Sequence, residues 1–268
     1  MKPVRLIFLA IIFYFLSGCE NVDVVETKIE YKEKIVVSSE ITAGSIFPGV
    51  TFTRTLPIGE PYDINKAQIL NALSYLRINY VKIVPLHYHS AGLYLPSDSL
   101  EVQPGDVYEL FGNVEGKSVY AETIIPKRAA ISNAVIETDY IQTSVTPLEG
   151  EVYGAKWLIY APGSGDTVDA ADRFFSITEP PESNPSGPMA VRTSVIPDLY
   201  LSSAYLDRTY MEIYSFDKAY LKYYNSKGNQ QIINNTFIQG GGSVVWNVFG
   251  DDVIGLFIGM AKSKIKAN

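Results

Sequence analysis

The chain has one cysteine, two histidines and two tryptophans among 268 residues. A single cysteine excludes an internal disulfide framework and a cysteine-based structural zinc site. His87 and His89 are the whole histidine supply. They could face one metal from a strand, since residues two apart share a face. A third ligand is not near them in sequence, so no metal is expected. Charge is also scarce, at 19% of residues, with 22 basic against 29 acidic side chains and a net charge of −7. That balance excludes a broad basic surface for phosphate backbones, so no nucleic-acid partner is expected. No apolar run reaches the about 20 residues of a membrane-spanning helix. G-x-S-x-G does not occur, and the glycines at 240–242 lack the Lys-Ser/Thr of a phosphate loop. The trio Asp166, Asp169 and Asp172 does not match a calcium-loop spacing. No catalytic residue and no cofactor is therefore expected, and the chain reads as a non-enzyme.

What is present begins at the start of the chain. Lys2 and Arg5 precede an eleven-residue apolar run, residues 6–16, that ends in Leu16-Ser17-Gly18-Cys19. This is the pattern of a signal peptide closing on a bacterial lipobox. The reading assigns 1–18 to a signal peptide, Cys19 to lipidation and 19–34 to a tether. Acyl chains on Cys19 would contribute about 0.8 kcal/mol per buried CH₂, enough for firm anchoring when several are attached. Glu20, Asp23 and Glu26 follow the cysteine. They read either as a surface-export signal or as a solvated tether.

From residue 35 the texture is β. Residues 50–56 alternate apolar and polar side chains, which marks a half-buried strand. Residues 72–78 alternate with two partly apolar faces. The turn at 103–106 precedes a strand over 107–114, and Glu115-Gly116 turns it into 118–125. About seven short strands within 35–128 predict an immunoglobulin-like β-sandwich without its disulfide. Residues 129–268 predict a second β-rich domain with one short helix. Its strands are expected near 135–145, 151–161, 242–249 and 253–260. A Pro/Gly-rich loop occupies 162–188, with a short strand at 174–177. The helix is expected to be capped by Ser215, to bury Phe216, Tyr220, Tyr223 and Tyr224 on one face, and to end at Gly228. The basic tail 261–268 reads as frayed. Tyrosine is abundant, 19 residues. Tyr200, Tyr205 and Tyr210 lead a cluster that reads either as cover for a sheet core or as a surface for a ligand or partner.

Several stretches, in order, resemble the Bacteroidetes lipoprotein family called domain of unknown function 4249. They include Ile35-Val36-Val37-Ser38-Ser39-Glu40, Gly49-Val50-Thr51-Phe52-Thr53-Arg54-Thr55-Leu56-Pro57 and Pro85-Leu86-His87-Tyr88-His89-Ser90. Gly105-Asp106-Val107-Tyr108-Glu109-Leu110 and Trp246-Asn247-Val248-Phe249-Gly250 continue the series. The resemblance implies an outer-membrane lipoprotein, with an immunoglobulin-like first domain. It also implies association with a TonB-dependent uptake system, with a TonB-dependent receptor as candidate partner. It supplies no catalytic residues. A structural or assembly component of the envelope, binding only other proteins, is the alternative.

Overall fold

The computed structural model describes residues 31–57, 59–228 and 244–268. The expected signal peptide, 1–18, and Cys19 lie outside them, as do residues 20–30 of the tether and the glycines at 240–242. The chain divides into two units, Met1–Lys32 and the body Glu33–Asn268. Among the described residues the body forms fifteen strands. They are Ile35–Thr42 (β1), Val50–Arg54 (β2), Leu73–Ile78 (β3), Lys82–Ser90 (β4), Leu93–Pro96 (β5), Val107–Val114 (β6), Lys117–Ile124 (β7) and Ala130–Ile136 (β8). Ile141–Thr146 (β9), Glu151–Tyr160 (β10), Thr167–Ala170 (β11), Met189–Arg192 (β12), Thr209–Asp217 (β13), Val248–Phe249 (β14) and Val253–Lys266 (β15) complete them. The helices are Ile64–Ala67 (α1), Ser203–Leu206 (α2) and Ala219–Gly228 (α3), with a 3₁₀ turn at Asp198–Tyr200. The protein is mainly β, as its alternation pattern predicts.

Twelve strands make one sheet, in the order β11-β10-β13-β15-β1-β2-β5-β4-β3-β6-β7-β14, and β12-β9-β8 make a second. The strand that organises the large sheet is β15. Its residues 253–260 run parallel to β1, and 260–266 run antiparallel to β13. The apolar run at 253–261 suits a strand covered on both faces. Phe257 and Ala261 enter a core with Val37, Ile41, Phe52, Leu76, Leu110 and Val119, while Ile258 and Met260 enter another with Val152, Ile177 and Phe216. Each fully buried side chain of this size contributes about 1.5–3 kcal/mol.

The β7–β14 end of the sheet curls back onto β15. Thr123 Oγ1 accepts from Gly259 N–H at 2.8 Å, and the Asn247 side chain brackets the Phe257 backbone. A Cβ on Gly259 would sit 2.4 Å from the Ile124 carbonyl oxygen, so this approach requires glycine. Val248, Val253 and Phe257 thus complete the core built by residues 35–125.

A second core lies between β10-β13-β15 and the small sheet. It gathers Tyr153, Trp157, Ile159, Met211 and Ile213 with Val145 and Val191. Helix α3 and the segment around Phe174 and Ile177 cover the other side of β10 and β13.

Five local expectations need correction. Residues 135–145 are not one strand but parts of the hairpin β8–β9, joined around 137–140. Ser215 does not cap the helix: β13 continues through Asp217, whose Oδ1 accepts from Ala219 N–H at 2.9 Å, so the helix starts four residues later. The other two short helices and the 3₁₀ turn also exceed the single helix expected. The tail is not frayed, because Lys262, Lys264 and Lys266 alternate with Ser263 and Ile265 in a strand paired to β13. Within 162–188, β11 forms at 167–170, whereas 174–177 is no strand. Thr178 makes an isolated bridge to Tyr153.

Candidate functional site

Strands β4, β3, β6 and β7 turn one face to the core and the other outward. In β3, Ser74, Leu76 and Ile78 are buried while Leu73 and Tyr75 are exposed. The outward residues fall into rows because the strands pair in register. One row is Pro85–Tyr75–Phe111–Tyr120–Phe249. The next places Leu73 beside Asn113 and Asn113 beside Ser118. Between them runs the backbone of Leu86, Ser74, Gly112 and Val119.

The two rows are the walls of a groove of about 920 Å³ that crosses the four strands. Its floor is the paired backbone. Its ends reach Ile83 on one side and Leu70, Asn71 and Tyr88 on the other, and His87 also lines it. Among the described residues, not one Asp, Glu, Lys or Arg lines it. Leu73, 77% exposed, stands with the exposed Leu70, Tyr75 and Ile83 along one groove, and it is this contiguity that marks the surface.

The aromatic wall is held in place from within. Tyr75 and Phe111 stack with centroids 5.1 Å apart and planes at 14°, and Tyr120 follows Phe111 at 5.2 Å. Behind them, Arg77 donates two hydrogen bonds to Glu109, at 2.6 and 2.7 Å. The Arg77 guanidinium also lies 5.0 Å from the centre of the Phe111 ring. Tyr120 donates to Glu109 at 3.3 Å and to Glu122 at 3.0 Å. Glu109 faces outward yet is only 2% exposed, because these groups cover it. Hydrogen bonds from Arg77 hold its carboxyl below the ordinary value, against the opposing effect of burial. Burial, and then Glu122 and Glu109, push the Tyr120 hydroxyl upward.

The opposite wall keeps hydrogen-bonding capacity in reserve. The side chains of Asn71, His87 and Ser118 make no hydrogen bond to another described residue, nor does the Tyr75 hydroxyl. Asn113 Oδ1 accepts from Gly116 N–H at 3.2 Å, which leaves its amide NH₂ free.

The tyrosines singled out from the sequence lie elsewhere and do not form one site. Tyr200 and Tyr205 meet edge to face at 5.2 Å and lean on the second core, with Tyr200 beside Trp157. Tyr210 projects from the other face of β13, against Tyr160 at 5.3 Å, with the Lys264 ammonium 5.6 Å from its ring. Tyr220 stacks on Phe216 at 4.0 Å, and burial pushes its hydroxyl up to about 12. Tyr220, Tyr223 and Tyr224 border a smaller cavity of about 520 Å³ shared with Lys156, Arg173 and Lys227.

His87 and His89 both sit on β4. A bulge between Tyr88 and Ser90 makes His89 the extra residue, which interrupts the alternation that would align the two rings. Among the described residues no three His, Cys, Asp or Glu side chains converge on a metal position. Asp169 accepts from Ala170 N–H instead of joining Asp166 and Asp172 around an ion.

Sequence reasoning missed the groove. Its signal was the strand at 72–78 with two partly apolar faces: the outward Leu73 and Tyr75 are what a core-only reading leaves over. Pairing register then brings Phe111 and Tyr120, far away in sequence, beside them. No protein-family model matches the chain, and no curated protein sequence matches it.

Proposed function

We propose that this chain is a lipid-anchored outer-membrane lipoprotein whose β body is a non-enzymatic binding module serving a TonB-dependent uptake system. The observation that carries the binding role is the uncharged groove across β4, β3, β6 and β7, preorganised and open to solvent. Such a groove, mostly apolar with a few convergent polar groups, is the usual form of a ligand site. Anchoring is supported by Leu16-Ser17-Gly18-Cys19 after a short apolar run. The ordered motifs similar to the Bacteroidetes lipoprotein family support the envelope setting and the uptake role. A non-enzymatic role is supported by the surroundings of His87, which among the described residues has no carboxylate to orient it and no nucleophile bonded to it.

Fractionation tests the anchor. Wild-type protein is expected in the outer membrane and Cys19→Ala in the soluble fraction. Retention of Cys19→Ala in the membrane at wild-type level, with no bound partner holding it, overturns lipid anchoring. Crosslinking in intact cells, followed by mass spectrometry, tests the uptake role. A TonB-dependent receptor is the expected product, and its absence from wild-type samples removes that role.

A further inference from the structure

We infer that the groove binds a neutral glycan chain laid across β4, β3, β6 and β7. This rests on the groove being the ligand site of the module. Three features of the groove select the ligand class.

The first is charge. None of the charged side chains among the described residues lines this cavity. An acidic polymer or an anionic lipid surface would call for Lys or Arg here.

The second is the difference between the walls. Tyr75, Phe111 and Tyr120 present an apolar wall, while Asn113, Ser118 and His87 offer unused donors and acceptors opposite. A sugar ring has the same division, with C–H faces that lie on aromatic surface and hydroxyls that need partners. The stacked rings are already fixed, so little side-chain freedom is lost on binding.

The third is the floor. Its backbone N–H and C=O groups are spent in the ladders joining β4, β3, β6 and β7. An extended peptide gains affinity by pairing with a free sheet edge, and β3 and β6 at the centre of this floor are paired on both sides. The groove crosses three inter-strand spacings, about 14 Å, which fits a short run of linked sugars better than a single one.

The test uses the full lipidated protein in a zwitterionic, sugar-free detergent. Native gels are cast with a mannan, a xylan, a mixed-linkage glucan or an α-glucan, and with polygalacturonate as the acidic comparison. At least one neutral polymer is expected to retard the protein, and polygalacturonate is not. Tyr75→Ala and Ser118→Glu should each weaken that binding about tenfold or more. Tyr62→Ala, at a site 70% exposed and outside the groove, should leave it unchanged. Ser118 is exposed, so an unaltered melting temperature for Ser118→Glu separates lost binding from lost folding. Retardation by no neutral polymer, by the acidic polymer alone, or equally in wild type and both groove variants overturns the inference. So does saturable binding of an extended neutral peptide that Ser118→Glu abolishes while the glycans have no effect. If glycans fail and Ser118→Glu still abolishes receptor crosslinking, the glycan is wrong and the binding module stands. If receptor crosslinking also survives Ser118→Glu, the groove is not the site and both readings fall.

Discussion

Glu109 and Glu151 are buried carboxylates whose surroundings push them in opposite directions. Arg77 holds Glu109 below its ordinary value of 4.5, whereas burial raises Glu151 above the same value despite hydrogen bonds from Lys127 N–H and the Tyr153 hydroxyl. For Glu109 the folded state binds its proton more weakly than the unfolded state. Its stabilisation is therefore fully present above 4.5 and is lost as pH falls toward the lower folded value. Glu151 has the reverse sign: its ionised form is a penalty at neutral pH that protonation relieves. Melting temperature against pH should thus lose part of its acid-side fall in Glu109→Gln and fall more steeply in Glu151→Gln. Identical acid limbs in all three proteins would sink this account. Tyr108 gives a simpler test. Its hydroxyl is buried in the first core with no partner among the described residues, and burial pushes it up to about 12. Tyr108→Phe removes an unsatisfied polar atom and keeps the ring that stacks on Phe47. Denaturant titration should show a gain of about 1 kcal/mol.

Among the elements, β15 departs furthest from its sequence reading, and the cause is physical. Its first half was legible as a buried strand because both faces are apolar. Its second half carries three lysines, which suggest solvent until their spacing is considered. Lys262 lies 5.0 Å from the Tyr214 ring and Lys264 5.3 Å from that of Tyr160, so each long stem lies along aromatic surface while Ile265 turns inward. The helix start was misplaced for a related reason. Ser215 and Asp217 are both good caps, and only the burial of Phe216 in the strand decides between them. The half-buried strand β2, by contrast, is plain from alternation, and β6 from the turn that precedes it. Asn247 shows how two elements join without a ladder. Its Oδ1 accepts from Phe257 N–H at 2.9 Å and its amide donates to the Phe257 carbonyl at 2.5 Å. Asn247→Ala leaves both backbone groups unpaired in a buried place and should cost about 2–4 kcal/mol. A loss below about 0.5 kcal/mol in urea unfolding would mean that this bridge does not hold β14 to β15.

At the scale of the molecule, the groove and the shared strand were the features least legible in the sequence. Both depend on partners far apart in the chain, and local alternation carries no record of which strand lies beside which. Because β15 supplies residues to every core, the body should unfold as one unit despite its length. Trp157 fluorescence reports the second core, and amide exchange in β1 and β2 reports the first. Their urea midpoints should coincide, and two resolved transitions would show that the cores are independent. The pairing of Ile35 with Val253 also sets a timetable for making the protein. The partners are separated by roughly 220 residues, which at the usual pace of synthesis is a wait of about 10–40 s. Until then β1 lacks one neighbour and each core lacks the side chains that β15 brings to it. On the export route proposed above, a polypeptide that must pass through a narrow channel before it folds gains from such a delay: the strand that completes its folding is also the one that arrives late.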